Sequence, residues 1–351
     1  MGRLALLYIE ESNRTTASEW ISGMVAVTAP APASLSDEPF TPEKTLKAHK
    51  NGEYTPCIEG ESVTTGSSLL VLKGEDSCDT RRVDVHGEVL YLGLVADGHG
   101  GKAASVHCKT VVLDLILAEL NGPPTGAELR RAGVAAFVAA HEQLLADSST
   151  TAGSTLTVCC VNVTRSEVTT LHSGDSVARL VGSKSTALAL CEDHRIDTSE
   201  SERARLGKLG AKIARAVDEH GRPAGPLRLW PKEGVGVAQA RAIGDRDVGT
   251  FIEPRPHAAT VALPASESCV IIIASDGVWD AMLPNAVDAI ARVSMTNPAS
   301  VSARLICASA CAQRHAYSSS GDELPIDDTT AVVIRIEDDD DPIKVESGCC
   351  D

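Results

Sequence analysis

Two short apolar runs that each end in Asp-Gly constrain this chain most. Residues 89–97 read Val-Leu-Tyr-Leu-Gly-Leu-Val-Ala-Asp and lead into Gly-His-Gly-Gly, and residues 269–276 read Cys-Val-Ile-Ile-Ile-Ala-Ser-Asp before another glycine. Each run is short and rich in β-forming residues, which predicts a buried strand rather than a helix. Asp97 and Asp276 are therefore expected at strand ends, on rigid backbone beside a cleft.

Asp-Gly is also the commonest signal of a two-residue hairpin turn. That alternative predicts a polar, alternating strand directly after each aspartate. The sequence instead predicts helices, because residues 102–120 space their apolar side chains at helical intervals and residues 284–293 begin with a proline suited to a first helical turn. The strand-to-helix interpretation is favoured at both places.

Carboxylates at the ends of buried strands need compensation, and metal coordination is one of the few ways to provide it. Cysteine and histidine do not cluster around either run, so neither resembles a zinc site. Ligands that offer only oxygen favour hard divalent cations, and the sequence therefore predicts Mg²⁺ or Mn²⁺.

Further carboxylates lie beside other predicted strands. Glu75 and Asp76 follow the apolar residues 69–72, Asp175 separates two predicted strands, and Asp327 precedes the strand-like residues 329–336. Each is ordinary turn material when it is taken alone. Only as a set do they indicate a metal site, because a hard cation needs several oxygen ligands.

The acidic composition excludes some partners. The chain has 351 residues and a formal net charge of −16, with 43% hydrophobic and 3% aromatic residues. Nucleic acids and acidic membranes attract Lys/Arg patches, so neither is an expected partner. Two bound divalent ions would offset about four of the negative charges.

Cysteine usage and run lengths indicate the compartment. The eleven cysteines are odd in number, scattered, and include no C-x-x-C pair, which favours a reducing environment over a disulfide framework. The longest apolar runs are strand-sized, so no membrane insertion is expected. The prediction is a soluble intracellular monomer of the cytoplasm or nucleus.

The chain divides into three predicted segments. Residues 1–60 form an N-terminal extension or linker with four prolines between positions 28 and 42, residues 61–337 form the domain that carries the candidate chemistry, and residues 338–351 form an acidic tail. Within the domain, residues 212–230 lack regular periodicity and are rich in charge, Gly and Pro. These residues are expected to form a mobile flap, and substrate specificity is expected to lie in the flap around residues 198–236.

The motifs, in their order, resemble those of the metal-dependent protein serine/threonine phosphatases of type 2C. The resemblance covers about residues 65–336, and the lysine before Gly74 is similar to the plant and green-algal branch. Eight pieces carry it: Gly74-Glu75-Asp76, Ala96-Asp97-Gly98-His99-Gly100-Gly101, Gly153-Ser154-Thr155, Ser173-Gly174-Asp175-Ser176, Asp193-His194, Ala240-Arg241-Ala242-Ile243-Gly244-Asp245, Ala274-Ser275-Asp276-Gly277-Val278-Trp279-Asp280 and Asp327-Asp328-Thr329-Thr330.

The resemblance implies an α+β fold in which two central antiparallel sheets pack face to face, with a pair of helices outside each sheet. This four-layer α/β/β/α sandwich agrees with the strands and helices predicted from the residues. The implied reaction is hydrolysis of phosphoserine or phosphothreonine in proteins by a hydroxide bound at a two-metal centre, without a phosphoenzyme.

The resemblance also implies the roles of individual residues. Asp97 would bridge two Mg²⁺ or Mn²⁺ ions and, with His99 as general acid, form the catalytic pair. The other implied metal contacts are the Gly98 carbonyl on one ion, Asp276 and Asp327 on the other, Glu75 and Asp76 through bound waters, and Asp175 on a weaker third ion.

One departure concerns the grip on the substrate phosphate. Many members of the family carry an arginine four residues before the position of Glu75, and here that position is Val71. Lys73 lies nearby and supplies charge without the bidentate fork of arginine. Lys73 and Arg241 are the predicted substrate-binding residues.

Two other functions compete with this interpretation. A non-catalytic family member would bind a phosphoprotein or a regulator, and only Val71 favours it. A phosphatase of the haloacid-dehalogenase type would need a second aspartate two residues after its nucleophile, and His99 occupies that place. The phosphatase with a phosphoprotein substrate is the prediction, and the substrate itself is not encoded in a readable motif.

Overall fold

The two apolar runs form the centres of two antiparallel sheets in the computed structural model of the chain. The structure describes residues 62–232, 235–320 and 327–338, without the side chains of 315–320, together with the backbone of two short strands at 52–53 and 58–59. Most of the predicted N-terminal extension, including its prolines, and residues 339–351 with Cys349 and Cys350 lie outside the described residues. The boundaries of the three predicted segments stay predictions.

The first apolar run is a central strand of a five-stranded antiparallel sheet. Its strand order is β16-β9-β8-β5-β4. The bounds are β4 (Ser77–Val85), β5 (Glu88–Ala96), β8 (Leu156–Asn162), β9 (Glu167–Ser173) and β16 (His257–Ala262).

The second apolar run lies inside a seven-stranded antiparallel sheet. Its strand order is β1-β3-β18-β17-β10-β11, and β2 also pairs with β3. The bounds are β1 (Gly52–Glu53), β2 (Ile58–Glu59), β3 (Val63–Leu70), β10 (Val177–Gly182), β11 (Leu188–Ala189), β17 (Cys269–Ala274) and β18 (Thr329–Ile336).

Both central strands bury both of their faces, which explains why they lack polar alternation. Successive side chains of a strand point to opposite faces. In β5, Leu92 and Leu94 pack toward helices while Val95 packs toward the other sheet, and in β17 Ile272 and Ile273 divide in the same way. The continuous apolar run is therefore the signature of a strand between two layers.

Helices cover the outer faces of both sheets. Helices α1 (Ala103–Ala118) and α2 (Gly126–Ala146) share one core with the five-stranded sheet. Helices α4 (Asp276–Trp279), α5 (Pro284–Val293) and α6 (Ala299–Ser320) lie on the seven-stranded sheet. The predicted four-layer α/β/β/α arrangement is confirmed. None of the helices that the structure describes is long and apolar enough to cross a membrane.

Helix α6 and strands β4 and β16 are among the elements that escaped prediction. In α6 the buried face consists largely of small residues around Ile306, among them Ala303, Cys307 and Ala310 at spacings of three and four positions. This periodicity was a usable signal, but Ala, Ser and Cys weaken the hydrophobic contrast on which a helix is recognised. In β4 the exposed positions of the alternating pattern carry charged residues. Charged residues have low strand propensity, so the pattern did not indicate a strand.

Residues 212–230, predicted as a mobile flap, contain regular strands that the sequence pattern did not indicate. They belong to a three-stranded antiparallel sheet of β12 (Ile213–Val217), β13 (Pro223–Lys232) and β14 (Val235–Val237). Much of β13 is exposed and β12 carries a register shift after Arg215, so no regular alternation marks these strands in the sequence. Helix α3 (Glu200–Lys208) packs beside them on a small core of its own.

Candidate active site

Strand register brings the predicted carboxylates to one edge of the sandwich. In the seven-stranded sheet Val177 pairs with Ala274, Ala274 pairs with Ala331, and Thr329 pairs with Leu70. In the other sheet Ser77 pairs with Ala96. The residues next to these pairs are the predicted ligands: Glu75, Asp76, Asp97, Asp175, Asp276 and Asp327.

The carboxylates at this edge repel one another. Burial, and then the charges of Asp76 and Asp276, raise the pKa of Asp97 well above its usual range. Burial and the neighbouring Asp175 raise the pKa of Asp276 to about 8. The buried Asp76 has its pKa raised to about 7 by desolvation, although Thr330 donates a hydrogen bond to it at 2.6 Å. Such a cluster is stabilised by cations.

The donor set suits a hard divalent ion, since it consists of carboxylate oxygens and backbone carbonyls with no thiolate. No three Asp, Glu, His or Cys side chains in the described ranges converge as a finished ligand set. Two protein cations lie among the carboxylates instead. Lys73 pairs with Asp327 at 3.0 Å, and Arg195 pairs with Asp276 at 3.3 Å.

The Gly-Ser-Thr motif fixes the backbone of Asp97. The Thr155 N–H donates to the Asp97 carbonyl at 2.8 Å, and the Asp97 N–H donates to Thr155 Oγ1 at 3.2 Å. Ser154 Oγ also donates to that carbonyl at 3.1 Å. This reciprocal pairing holds the end of β5 in place, so the position of the Asp97 carboxylate is set by the fold.

Gly98 is a glycine for a steric reason. A Cβ atom at this position would lie 2.4 Å from the carbonyl oxygen of Glu75. The chain can therefore pass from β5 beside the loop that carries Glu75 only without a side chain. Glu75 in turn accepts a hydrogen bond from the Gly101 N–H at 2.6 Å, which ties the two predicted motifs together.

Asp328 organises the loop with Lys73, Glu75 and Asp76, and it was not predicted to do so. Its Oδ1 accepts the N–H groups of Leu72, Lys73 and Gly74 at 2.5, 2.7 and 3.1 Å, and its Oδ2 accepts those of Glu75 and Asp76 at 2.7 and 3.1 Å. These bonds favour the ionised form, so the pKa of Asp328 lies below its usual value despite burial. The sequence motif showed two adjacent aspartates, but it did not show that Asp328 binds the loop backbone while Asp327 pairs with Lys73.

His99 is held from both ring nitrogens. Its Nε2 lies 2.7 Å from Asp245 Oδ1, and its Nδ1 lies 3.0 Å from Gln239 Nε2. Burial opposes the charged ring, but the Asp245 carboxylate outweighs it and raises the pKa of His99. A small sheet joins β6 (Gly98–His99), β7 (Gly153–Ser154) and β15 (Ile243–Gly244), which brings Asp245 to the histidine. In the sequence, Asp245 was only the last residue of one of the eight motifs, and Gln239 was not identified at all.

The two predicted substrate-binding residues lie in different surroundings. Lys73 is exposed at the mouth of the carboxylate cluster, while Val71 packs partly buried between the sheets. Arg241 lies at the base of the flap, where it donates to Glu202 at 2.7 Å and to the Arg255 carbonyl at 3.0 Å. These contacts commit the Arg241 guanidinium to the flap, and its substrate-binding role stays a prediction that they do not support.

A buried histidine pair supports the loop that carries Asp175. The rings of His172 and His194 stack with centroids 4.8 Å apart. His194 Nδ1 accepts the Gly174 N–H at 3.2 Å, and His172 Nδ1 lies 2.9 Å from Thr157 Oγ1. Burial lowers the pKa of His172 to about 3 and that of His194 to about 2, so both rings are neutral near pH 7.

Comparison with known proteins links this arrangement to one family. The family model described as Protein phosphatase 2C matches residues 85–319. The chain is 35% identical over 287 residues to "Probable protein phosphatase 2C 40" of Oryza sativa subsp. japonica, which covers 78% of this chain and 57% of that protein. It is 32% identical over 292 residues to "Probable protein phosphatase 2C 5" of Arabidopsis thaliana, with 80% and 63% covered. The chain thus spans less than two thirds of the length of both relatives.

Solved structures share the fold at low sequence identity. A serine-threonine phosphatase 2C from Toxoplasma gondii superposes with a TM-score of 0.60 at 17% identity, covering 82% of this chain and 99% of that one. A C. elegans sex determining protein superposes with a TM-score of 0.64 at 19% identity, covering 80% and 66%. The four-layer sandwich is the architecture that these proteins have in common with the chain.

Proposed function

The chain belongs to the protein phosphatase 2C family, and we propose that it hydrolyses phosphoserine and phosphothreonine in proteins with two divalent cations, Mg²⁺ or Mn²⁺, at the carboxylate cluster. The observation that carries the proposal is the meeting of Asp97, Asp276 and Asp327 at one edge of the sandwich, where burial and the neighbouring carboxylates raise the pKa values of Asp97 and Asp276. Such a cluster costs stability and is explained by the cations that it holds.

Asp97, Asp276, Asp327 and the Gly98 carbonyl would hold the cations. The ions would activate water and offset charge on the phosphoryl oxygens. The chain's own contribution is position, since the end of β5 is fixed by Ser154 and Thr155 and the loop of Glu75 is fixed by Asp328. Preorganised groups of this kind lower the barrier because they need no rearrangement during the reaction.

His99 is proposed as the group that protonates the leaving serine or threonine oxygen. Its raised pKa favours the protonated ring near neutral pH, and Asp245 orients the ring through Nε2. An alkoxide leaving group needs a proton, whereas an aryl oxide needs it much less. Lys73 is proposed to attract the substrate phosphate, because its ammonium group is exposed beside Asp327.

The test is hydrolysis of a phosphothreonine peptide by the purified full chain with Mn²⁺, with Mg²⁺ and with EDTA, alongside Asp276→Asn. The expected result is metal-dependent release of phosphate that the substitution abolishes. Asp84→Asn is the matched control, since this exposed aspartate lies in β4 and points to solvent. A folded protein without activity under any metal would overturn the proposal and favour a phosphoprotein-binding role.

We further propose an intracellular location. The support is the state of the cysteines, since all eight in the described part of the chain are free and seven of them are buried. A reducing compartment suits free thiols. Fractionation of cells that express the tagged chain would test this, and recovery from the secreted fraction would contradict it.

A further inference from the structure

One arginine lies at the centre of a second group of carboxylates. Arg195 Nε is 2.8 Å from Asp175 Oδ2, its Nη1 is 2.7 Å from Asp280 Oδ1, and its Nη2 is 3.3 Å from Asp276 Oδ2. The three nitrogens of the guanidinium thus each contact a different aspartate. Asp175 comes from the turn between β9 and β10, and the other two aspartates come from the beginning and the end of α4.

The backbone of Arg195 is anchored at the base of the flap. Arg195 and Gln239 face each other in an isolated antiparallel bridge. The Ile196 N–H donates to the Ala238 carbonyl, and the Ala240 N–H donates to the His194 carbonyl, both at 2.9 Å. The side chain of Arg195 therefore starts from a fixed point and reaches from the flap into the carboxylate edge.

The charge balance of the group depends on this side chain. Three carboxylates that lie this close together repel one another strongly unless a cation lies between them. A planar guanidinium offers five donors in a fixed fork and is always charged, so it can serve several carboxylates at once. Asp276 is shared between this group and the predicted metal ligands.

We infer that Arg195 is the resident cation of the Asp175–Asp276–Asp280 group, where it takes the place of a third divalent ion and positions Asp276 for the two catalytic ions. The role assigned to Asp276 rests on the proposed function, whereas the occupancy of the group by Arg195 does not. The chain then binds two divalent ions, and Asp175 belongs to an ion pair and is not a metal ligand. Arg195 acts through Asp276 and is a positioning residue.

The experiment counts bound Mn²⁺ by equilibrium dialysis of the full chain, with free Mn²⁺ measured by electron paramagnetic resonance. The wild type is expected to bind about two ions per chain. Arg195→Met frees three carboxylates and is expected to bind about one ion more. Arg195→Gln removes the charge but keeps a polar head, and gives the same gain should the methionine variant not fold.

Three further variants make the count specific. Arg195→Lys keeps a cation and is expected to retain the wild-type count. Arg215→Met is the matched control, because it removes an arginine of the same flap that pairs with Asp197 at 2.9 Å, outside the group. Adding Asp280→Asn to Arg195→Met removes one ligand of the new site and is expected to restore the wild-type count.

The outcomes separate this inference from the proposed function. An unchanged count in folded Arg195→Met and Arg195→Gln, or a third ion in the wild type, overturns the role of Arg195 even if the enzyme is active. Phosphopeptide turnover is measured on the same preparations, and a loss of about 10-fold or more in kcat is expected for the neutral variants, with recovery in Arg195→Lys. An inactive wild type would refute the proposed function while the ion count still decides the occupancy.

Discussion

Asp328 Oδ2 accepts a hydrogen bond from the backbone N–H of Glu75 at 2.7 Å, across 253 positions of the chain. The same carboxylate accepts four more N–H groups of the loop at 72–76. Its neighbour Asp327 pairs instead with the ammonium group of Lys73. One aspartate therefore shapes the loop while the next belongs to the candidate metal site, so two adjacent carboxylates have separable functions.

Asp328→Asn is expected to destabilise the protein, because an amide nitrogen would face backbone N–H groups that need an acceptor. Loss of hydrogen bonds to a charged acceptor predicts a decrease of about 1–3 kcal/mol in the free energy of unfolding. Denaturant titration in EDTA measures it. Asp327→Asn is the control, since it removes a partly exposed ion pair while its amide oxygen can still accept the Asp328 N–H, and it should change stability by less than about 1 kcal/mol while it lowers activity. Equal losses of stability in the two variants would refute the division of labour.

Asp97→Asn is expected to raise the stability of the metal-free protein and to abolish its activity. Burial and the neighbouring carboxylates raise the pKa of Asp97, so ionisation of this group destabilises the metal-free fold, and the neutral amide removes that cost in EDTA. Thermal unfolding should show a midpoint at least about 2 °C higher than that of the wild type in EDTA, and a smaller gain on addition of Mn²⁺. A lower midpoint in EDTA would show that the carboxylate stabilises the fold, contrary to this prediction.

Asp245→Asn should slow the reaction most for a poor leaving group. Asparagine tolerates the left-handed backbone of this position, where φ is 54°, so the fold should persist while His99 loses its charged partner. We expect kcat to fall by about 10-fold or more on a phosphoserine peptide and much less on an aryl phosphate. Asp247→Asn, which removes an ion pair with Lys232 nearby, is the control. Equal losses on both substrates would remove His99 from the role of general acid.

The stacked histidines predict a pH-dependent difference in stability. Folding lowers the pKa of His194 far below the value of about 6.5 that it has when unfolded, so below that pH the unfolded chain binds a proton that the folded protein does not. The stabilising contribution of neutral His194 is therefore complete above about pH 6.5 and decreases as the pH falls toward the folded pKa. The carboxylates with raised pKa values act in the opposite sense, so the prediction concerns a difference between two proteins.

His194→Asn keeps an acceptor near the Gly174 N–H and removes the titrating ring. The advantage of the wild type over this variant in free energy of unfolding should shrink by about 1.4 kcal/mol for each pH unit below 6.5. Denaturant titrations at pH 7.5, 6.5 and 5.5 measure it. His86→Asn, at an exposed position, should show no such trend. A difference that stays constant over this range would contradict the assignment of a neutral buried His194.

Local patterns in the sequence were sufficient for the central strands and for the carboxylates at their ends. A continuous apolar run that stops at an aspartate records both the burial of two faces of a strand and the beginning of a polar edge, and Asp97 and Asp276 follow from it. Patterns were insufficient to predict the strand β13, which is mostly exposed, and the helix α6, whose buried side chains are mostly small. Propensity alone does not decide such segments because packing does.

The sequence by itself predicted a hard divalent cation, through oxygen ligands at strand ends, and the order of its motifs determined the family that it resembles. Only the tertiary structure decided which residues hold that chemistry in place. Asp328, Asp245, Gln239 and Arg195 have partners between 20 and 256 positions away. Each is an ordinary loop residue in its local sequence, and its role comes from strand register and from the charge that folding concentrates at one edge of two sheets. Charge neutralisation depends on distance in space, which no local pattern of residues contains.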